Sequence, residues 1–538
     1  MIVKFYSLLF LLIILNLNNL FPQGIQIKNI YIERNRVFEP GDKDWFFASE
    51  FLNAFHHTTQ EYIIKDELLF GENSVTDEEY IYETERNLRN TELFTSINIE
   101  LDSLGYNSYD AFITTKDRWS LYPSLLFGTG GGEYSYGGRL EEFNILGTGT
   151  YIKLEAQNRT ENDIGWQGLV TLRNRRLFRT ELRFEGSLFA NKFKTIQNVE
   201  IVRPYRTLDT RLSYGVTGYN SFGSNFVYKL DSTLNIVPFE EQRAKLFLSR
   251  SWFRNDRIFA SLLVDLHNVN RNEDNLRFAF DNSGKVLLMF SSVSQKYYPV
   301  EKINYYHIED LPVGGYGSAT LGKIFPIGSK DGEGLYYVAG QGEISYFDGK
   351  LYLFGQLTGA SAFQKADGQY TYQEFLGLGF YRFSNSLLLT ARFNQQTAWN
   401  WTAYRQLMLD NERGLRGYKL NQIAGENRIL SNIELRFFPD ITLWILKLSG
   451  AVFYDIGTVW DQDQKLDKSQ FYSTIGAGLR FHFTKSSNPG QTLRIDLAYN
   501  LNDSKIGGII ITTKQLFSAF GNHDYKLPGT FGTSLDLE

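Results

Sequence analysis

From about Arg118 to Phe520, apolar and polar residues alternate one by one. In Thr150 to Gln157, Ile152, Leu154 and Ala156 fall on one face and Tyr151, Lys153, Glu155 and Gln157 on the other. Leu182, Phe184, Gly186 and Leu188 oppose Glu181, Arg183, Glu185 and Ser187, while Ile433, Leu435 and Phe437 oppose Asn432, Glu434 and Arg436. Leu493, Ile495, Leu497 and Tyr499 likewise oppose Thr492, Arg494, Asp496 and Asn500. Successive side chains of a strand point to opposite faces, so this rhythm predicts antiparallel strands with one apolar and one charged face. A water-soluble sandwich would bury the apolar face, whereas a membrane barrel turns it to lipid and lines a wet lumen with the charges.

Residues 24 to about 117 have a different rhythm. Ile25, Ile27, Ile30 and Ile32 predict a first strand, and Pro40-Gly41-Asp42 opens a helical stretch through Trp45, Ala48, Leu52 and Phe55. Glu61 to Phe70 reads as a second extended segment. Thr76 with Glu79 forms a capping-box pattern for a helix Glu79 to Arg89, whose Tyr80, Ile81, Thr84 and Leu88 make the inward stripe. Ile97, Ile99 and Leu101, then Ala111, Ile113 and Thr115, predict two strands joined by a turn at Leu104-Gly105-Tyr106-Asn107. The chain is thus a small α+β domain followed by a long β region.

The single long apolar run lies at the start, where Met1 to Lys4 is basic, Phe5 to Leu15 apolar, and a cut is placed near Gln23. It reads as a secretory signal peptide, with a membrane anchor as the alternative. Export tips the β region toward a membrane barrel, because no later apolar run reaches the ~18 residues a helix needs and any later crossing must be by strands. The composition agrees: 43 Phe, 33 Tyr and 47 Gly in 538 residues, aromatics at 16%. Tyr336-Tyr337, Tyr352 with Phe354, and Phe437-Phe438 suit aromatic girdles at the membrane surfaces. About 400 residues accommodate about 14 to 18 strands of roughly 9 to 11 residues with their turns. Asp348-Gly349 fits a tight hairpin at a periplasmic rim. Gly508 to Phe520 reads as the last strand, with Phe517 and Phe520 near its end, and Gly521 to Glu538 as a polar tail.

Formal charge is −5 with both signs interspersed, which lacks the basic bias of a nucleic-acid binder. With no Cys, thiolate metal sites, disulfides and cysteine nucleophiles are excluded. The six His include one close pair, His56 and His57, which lacks a third ligand and fits a helix end. No acid/base or nucleophile constellation stands out, so an enzyme is not expected. Gly128 to Gly132 and Gly314 to Gly317 lack the Gly-Lys-Ser/Thr ending of a phosphate loop.

The candidate functional stretch is Asn411-Glu412-Arg413-Gly414-Leu415-Arg416-Gly417-Tyr418, which has no strand or helix period. Its arginines need acceptors, and the following strands supply Glu434 and Asp455. Arg416-Gly417-Tyr418 with Glu434, Asp455 and Gly457 resembles the barrel of the BamA/TamA family of outer-membrane assembly proteins. Early in the β region, Asn144, Gly147 and Gly149 resemble that family's Asn-x-x-Gly-x-Gly turn. Glu67 to Glu72, Glu83 to Arg89 and Lys116 to Leu121 resemble a polypeptide-transport-associated (POTRA) domain.

The resemblance implies a transmembrane antiparallel β-barrel of about 16 strands preceded by one POTRA domain at 24–117, with the barrel over 118–520. In it, Arg416 clamps onto Glu434 and Asp455, Gly417 makes the turn, and Tyr418 packs the loop in the lumen. It further implies an outer-membrane location with the N-terminal domain in the periplasm, and assistance to β-barrel clients as they insert and fold. Partners are then unfolded outer-membrane clients, outer-membrane lipid, and periplasmic or lipoprotein partners through the POTRA domain, with no cofactor, metal or nucleic acid. A POTRA-barrel pore that secretes a specific protein, or a passive channel, stays open as the alternative.

Overall fold

The structure, a computed structural model, describes residues 24–41, 49–130, 133–228, 234–253, 256–271, 276–306, 308–328, 334–365, 367–443, 446–483, 492–512 and 515–536. The expected signal peptide and residues 42–48 of the helical stretch opened by Pro40 lie outside them, while the end of that stretch is helical over Ser49–Phe55. Two compact units form, one of residues 1–122 with 141–152, the other of 123–140 with 153–538.

The first unit contains β1 (Ile25–Asn35), α1 (Ser49–Phe55), α2 (Glu61–Glu67), β2 (Ser74–Thr76), α3 (Glu78–Arg89), β3 (Phe94–Gly105) and β4 (Ser108–Asp117). The sheet order is β2-β1-β4-β3, with β1 parallel to β4. Ile27, Ile64, Leu88, Leu93, Ala111 and Ile113 form its core. The turn before β4 has left-handed Tyr106 and Asn107, which matches the twist of a tight hairpin.

Two expectations fail here. The segment expected to be extended from Glu61 is helix α2: a helical turn brings Ile64 and Glu67 together on the buried side and pairs Glu61 with Lys65 at 2.7 Å. Ile63 and Ile64 by themselves suit a strand as well. The cap of α3 is Asp77, whose carboxylate accepts the Tyr80 N–H at 2.9 Å, while Thr76 belongs to β2 opposite Ile25.

The second unit is a closed antiparallel barrel of 20 strands among the described residues, counting the short piece Thr442–Leu443 with Asn427–Phe437. The expected 16 strands are too few. That number allowed too much chain per turn: Phe347 and Leu351 are joined through Asp348-Gly349-Lys350, and Ser384 and Leu387 by two residues. Asp348 Oδ1 closes the first of these hairpins by accepting the Lys350 and Leu351 N–H groups. Along the wall, Leu246, Leu248, Leu262, Leu266, Leu288 and Phe290 are exposed outward, while Ser249, Ser261, Asp265, Lys285 and Thr320 are buried inward. That inversion of the soluble pattern is what a lipid-facing exterior requires.

The aromatic girdle expectation is met by two of its six residues. Tyr336 and Phe437 face outward, but Tyr337, Tyr352, Phe354 and Phe438 are buried inside the barrel, because neighbours in a strand take opposite faces. The last strand also differs from expectation: it spans Lys505–Thr512, and residues 515–536 form no strand. They run irregularly through the lumen, where Phe517, Ala519 and His523 are buried. The inward aromatics are what this segment packs against.

Candidate functional site

Strand Leu407–Leu409 pairs with Ile423–Gly425, forming a small two-stranded sheet that carries the intervening loop into the barrel. At the loop tip, Arg416 is fully buried. Its Nε donates to Asp455 Oδ2 and its Nη2 to Asp455 Oδ1, both at 2.7 Å, while Nη1 donates to Glu434 Oε1 at 2.7 Å. The guanidinium also lies 3.4 Å from the centroid of the Phe453 ring. The planar fork thus has a carboxylate on two edges and an aromatic face beneath, an arrangement for which lysine is no substitute.

The loop can reach this point because Gly417 has φ +82°, and a Cβ there would stand 2.8 Å from that of Ala498. The Gly417 carbonyl accepts the Asn500 Nδ2 at 3.0 Å, and Tyr418 OH donates to Asn502 Oδ1 at 2.9 Å. Gly457 lies opposite Leu430, close to the Leu409 side chain.

The inward faces of the adjoining strands extend the cluster beyond the residues that sequence reasoning selected. Asn432 Nδ2 bridges Asp455 Oδ1 at 2.8 Å and the Gly414 carbonyl at 2.7 Å. Arg436 donates to Glu434 at 2.9 Å, Arg480 to Asp496 at 2.6 Å, and Arg494 Nε lies 3.1 Å from Asp496. Asp496 is 3.4 Å from Arg416 Nη1. Gly478 makes room, since a Cβ there would stand 2.5 Å from Arg480 Nη1. Asn432, Arg436, Arg494 and Asp496 all lay on charged faces visible in the alternation, but which of them meet depends on register.

The early turn belongs to the first unit. Asn144 Oδ1 accepts the Gly149 N–H at 2.7 Å, and its Nδ2 donates to Thr59 Oγ1 at 2.8 Å. Gly147 and Gly149 take φ of +74° and +65°, and the Gly147 carbonyl accepts the Gln60 N–H at 2.9 Å. The structure therefore separates the two sets of candidate residues: one clamps a loop in the barrel, the other seats a turn beside α2. His56 is held by Asp117 at 2.9 Å and Ser120 at 3.2 Å, and among the described residues no cluster of three metal-ligating side chains occurs.

The barrel closes between its last strand and Leu121–Gly130, and one residue pair, Ile511 with Thr129, joins them among the described residues. Beside this seam lies a cavity of about 530 Å³, lined by Phe127, Thr129, Ile511 and Arg494 among others.

The Omp85 superfamily domain is matched over residues 144–508. The chain belongs to the Omp85 superfamily. No curated protein sequence matches it. Among solved structures, BamA from Haemophilus ducreyi lacking POTRA domains 1–3 is similar at 14% identity and TM-score 0.40, covering 90% of this chain and 84% of that one. CdiB from Acinetobacter baumannii is similar at 11% identity and TM-score 0.43, covering 91% and 73%, and CdiB from Escherichia coli at 11% and 0.43, covering 88% and 73%. An Omp85 barrel is an outer-membrane protein, and the superfamily's transport and assembly barrels are not enzymes. The small domain ahead of the barrel is POTRA-like.

Proposed function

We propose that this Omp85 protein assists the insertion and folding of β-barrel clients in the outer membrane, with its N-terminal domain in the periplasm. The observation that carries the reading is the place of the seam, where the last strand meets Leu121–Gly130 at Ile511 and Thr129 and the Arg416 loop docks beside it through the Gly417 carbonyl and Asn500. A seam that opens at membrane depth exposes backbone that is costly to leave unpaired, so a client strand that supplies its own N–H and C=O groups gains by pairing there. The Arg416 clamp holds the infolded loop against Ala498, Asn500 and Gly507 beside the last strand. It thereby braces that edge from within. In the N-terminal domain, β3 is an edge of its sheet and carries exposed residues along most of its length, a surface for extended clients or lipoprotein partners by strand addition.

A secretion pore is the second reading, favoured by the 20-strand circumference, because barrel diameter grows with strand number. Liposome reconstitution separates the two. Addition of an unfolded outer-membrane barrel is expected to yield protease-protected client faster than in empty liposomes, and Arg416→Ala is expected to lose the acceleration. Absence of acceleration, with release of a protein cargo from loaded vesicles, would overturn the insertion reading in favour of the pore.

A further inference from the structure

We propose that the barrel lumen is a binding site for an extended peptide, occupied in this chain by its own residues 517–536, which thereby close the barrel. The inference is independent of whether the barrel inserts or secretes proteins. It rests on the wall being shaped for its occupant at successive positions, drawn from several strands and the loops between them.

Tyr525 enters a pocket formed by Tyr205 and Phe259, with ring centroids 5.0 and 4.7 Å away, and its hydroxyl meets Ser261 Oγ at 2.9 Å. Next to it, Lys526 pairs with Glu343 and lies 4.7 Å from the centroid of the Tyr316 ring. Glu343 is fully buried and also meets His523 Nδ1 at 3.2 Å, while His523 Nε2 contacts Ser345 Oγ at 2.7 Å. Gly521 passes so close to Phe354 that a Cβ would stand 2.7 Å from the ring. Further along, the Phe531 N–H donates to Tyr337 OH at 2.9 Å, and Arg405 donates to the Gly532 carbonyl. Asp536 accepts from Arg428 Nη1 at 2.9 Å and from the Met408 N–H at 2.8 Å, at the root of the loop that carries Arg416.

These subsites select a sequence type: a small residue at the Phe354 ring, then an aromatic followed by a lysine, with a carboxylate downstream. The wall contributes a buried carboxylate that the peptide must neutralise and arginines that the carboxylate must satisfy. Such groups are stable when paired and are also stable when hydrated. Withdrawal of the segment admits water to the lumen, so the contacts exchange for hydration rather than leaving bare buried charge. The occupant is held by specific contacts and can be replaced by another peptide of the same pattern.

The test is single-channel current through the full-length chain in planar bilayers. The parent is expected to be closed, and the double variant Tyr525→Ala/Lys526→Ala to carry a steady current. The conservative Tyr525→Phe, which keeps the ring, is expected to stay closed. A synthetic peptide of residues 515–536, added to the open double variant, is expected to block the current, and the same peptide carrying both alanines to fail. Resistance of each barrel to unfolding in SDS at room temperature verifies that it is folded. A folded double variant as closed as the parent, a parent already as open as the variant, or an open variant indifferent to the peptide would each overturn the proposal.

Discussion

Arg416 and Asp455 are joined by two parallel hydrogen bonds of 2.7 Å, with both side chains sealed from solvent. They belong to elements 39 residues apart in sequence, an infolded loop and a barrel strand. The pair therefore reports whether the loop is docked. Removal of one partner leaves the other charged and buried, which costs about 3–5 kcal/mol. Arg416→Ala and Asp455→Ala should each lower the temperature at which the barrel unfolds in SDS. Arg416→Lys should recover little, because a point charge cannot bond Asp455 and Glu434 in the same plane.

Gly417→Ala tests how closely the loop tip approaches the wall. The new Cβ would meet Ala498 and Asn500 at 2.8 and 2.9 Å on a backbone at φ +82°. A loss of about 1–3 kcal/mol is expected from the strained backbone, read in the same unfolding assay. Gly342→Ala and Gly355→Ala, where nothing lies within 4 Å, serve as controls and should leave the barrel unchanged.

In the N-terminal domain the vulnerable group is Asp117. Its Oδ2 accepts the Thr59 N–H at 2.6 Å, Thr59 Oγ1 at 3.0 Å and His56 Nε2 at 2.9 Å. Asp117→Ala orphans these donors at about 1–3 kcal/mol for each that stays buried. Amide hydrogen exchange should accelerate at Thr59 and across the turn that Asn144 seats on it, while the barrel amides stay protected.

Acid should loosen α2. The hydrogen bond from Lys65, followed by its charge, lowers the Glu61 carboxyl below its ordinary 4.5. A carboxylate with a lowered folded value contributes stability above its unfolded value and loses it as pH falls through the folded one. Exchange of the α2 amides should therefore rise below pH 4.5, and Lys65→Met should flatten that dependence. The pair is exposed, so salt should weaken it as well.

The strand-by-strand alternation, the two hairpin turns at Asn107 and Gly349, and the chemical needs of Arg416 were all legible along the chain, because each rests on local geometry or on the valence of one side chain. Strand number was not, since it depends on how little chain each turn consumes. Helix α2 was missed because Tyr62, Ile63 and Ile64 suit a strand locally, and only the core beneath Ile64 selects the helix. Asp496, Arg480 and Arg494 join the clamp through register, which sets Arg480 opposite Arg494 and Gly478 opposite Asp496. The course of residues 515–536 was equally hidden. A polar, glycine-containing stretch has no period of its own, and its place is decided by Glu343, Tyr337, Phe354 and Arg428, which only a closed barrel gathers around one lumen.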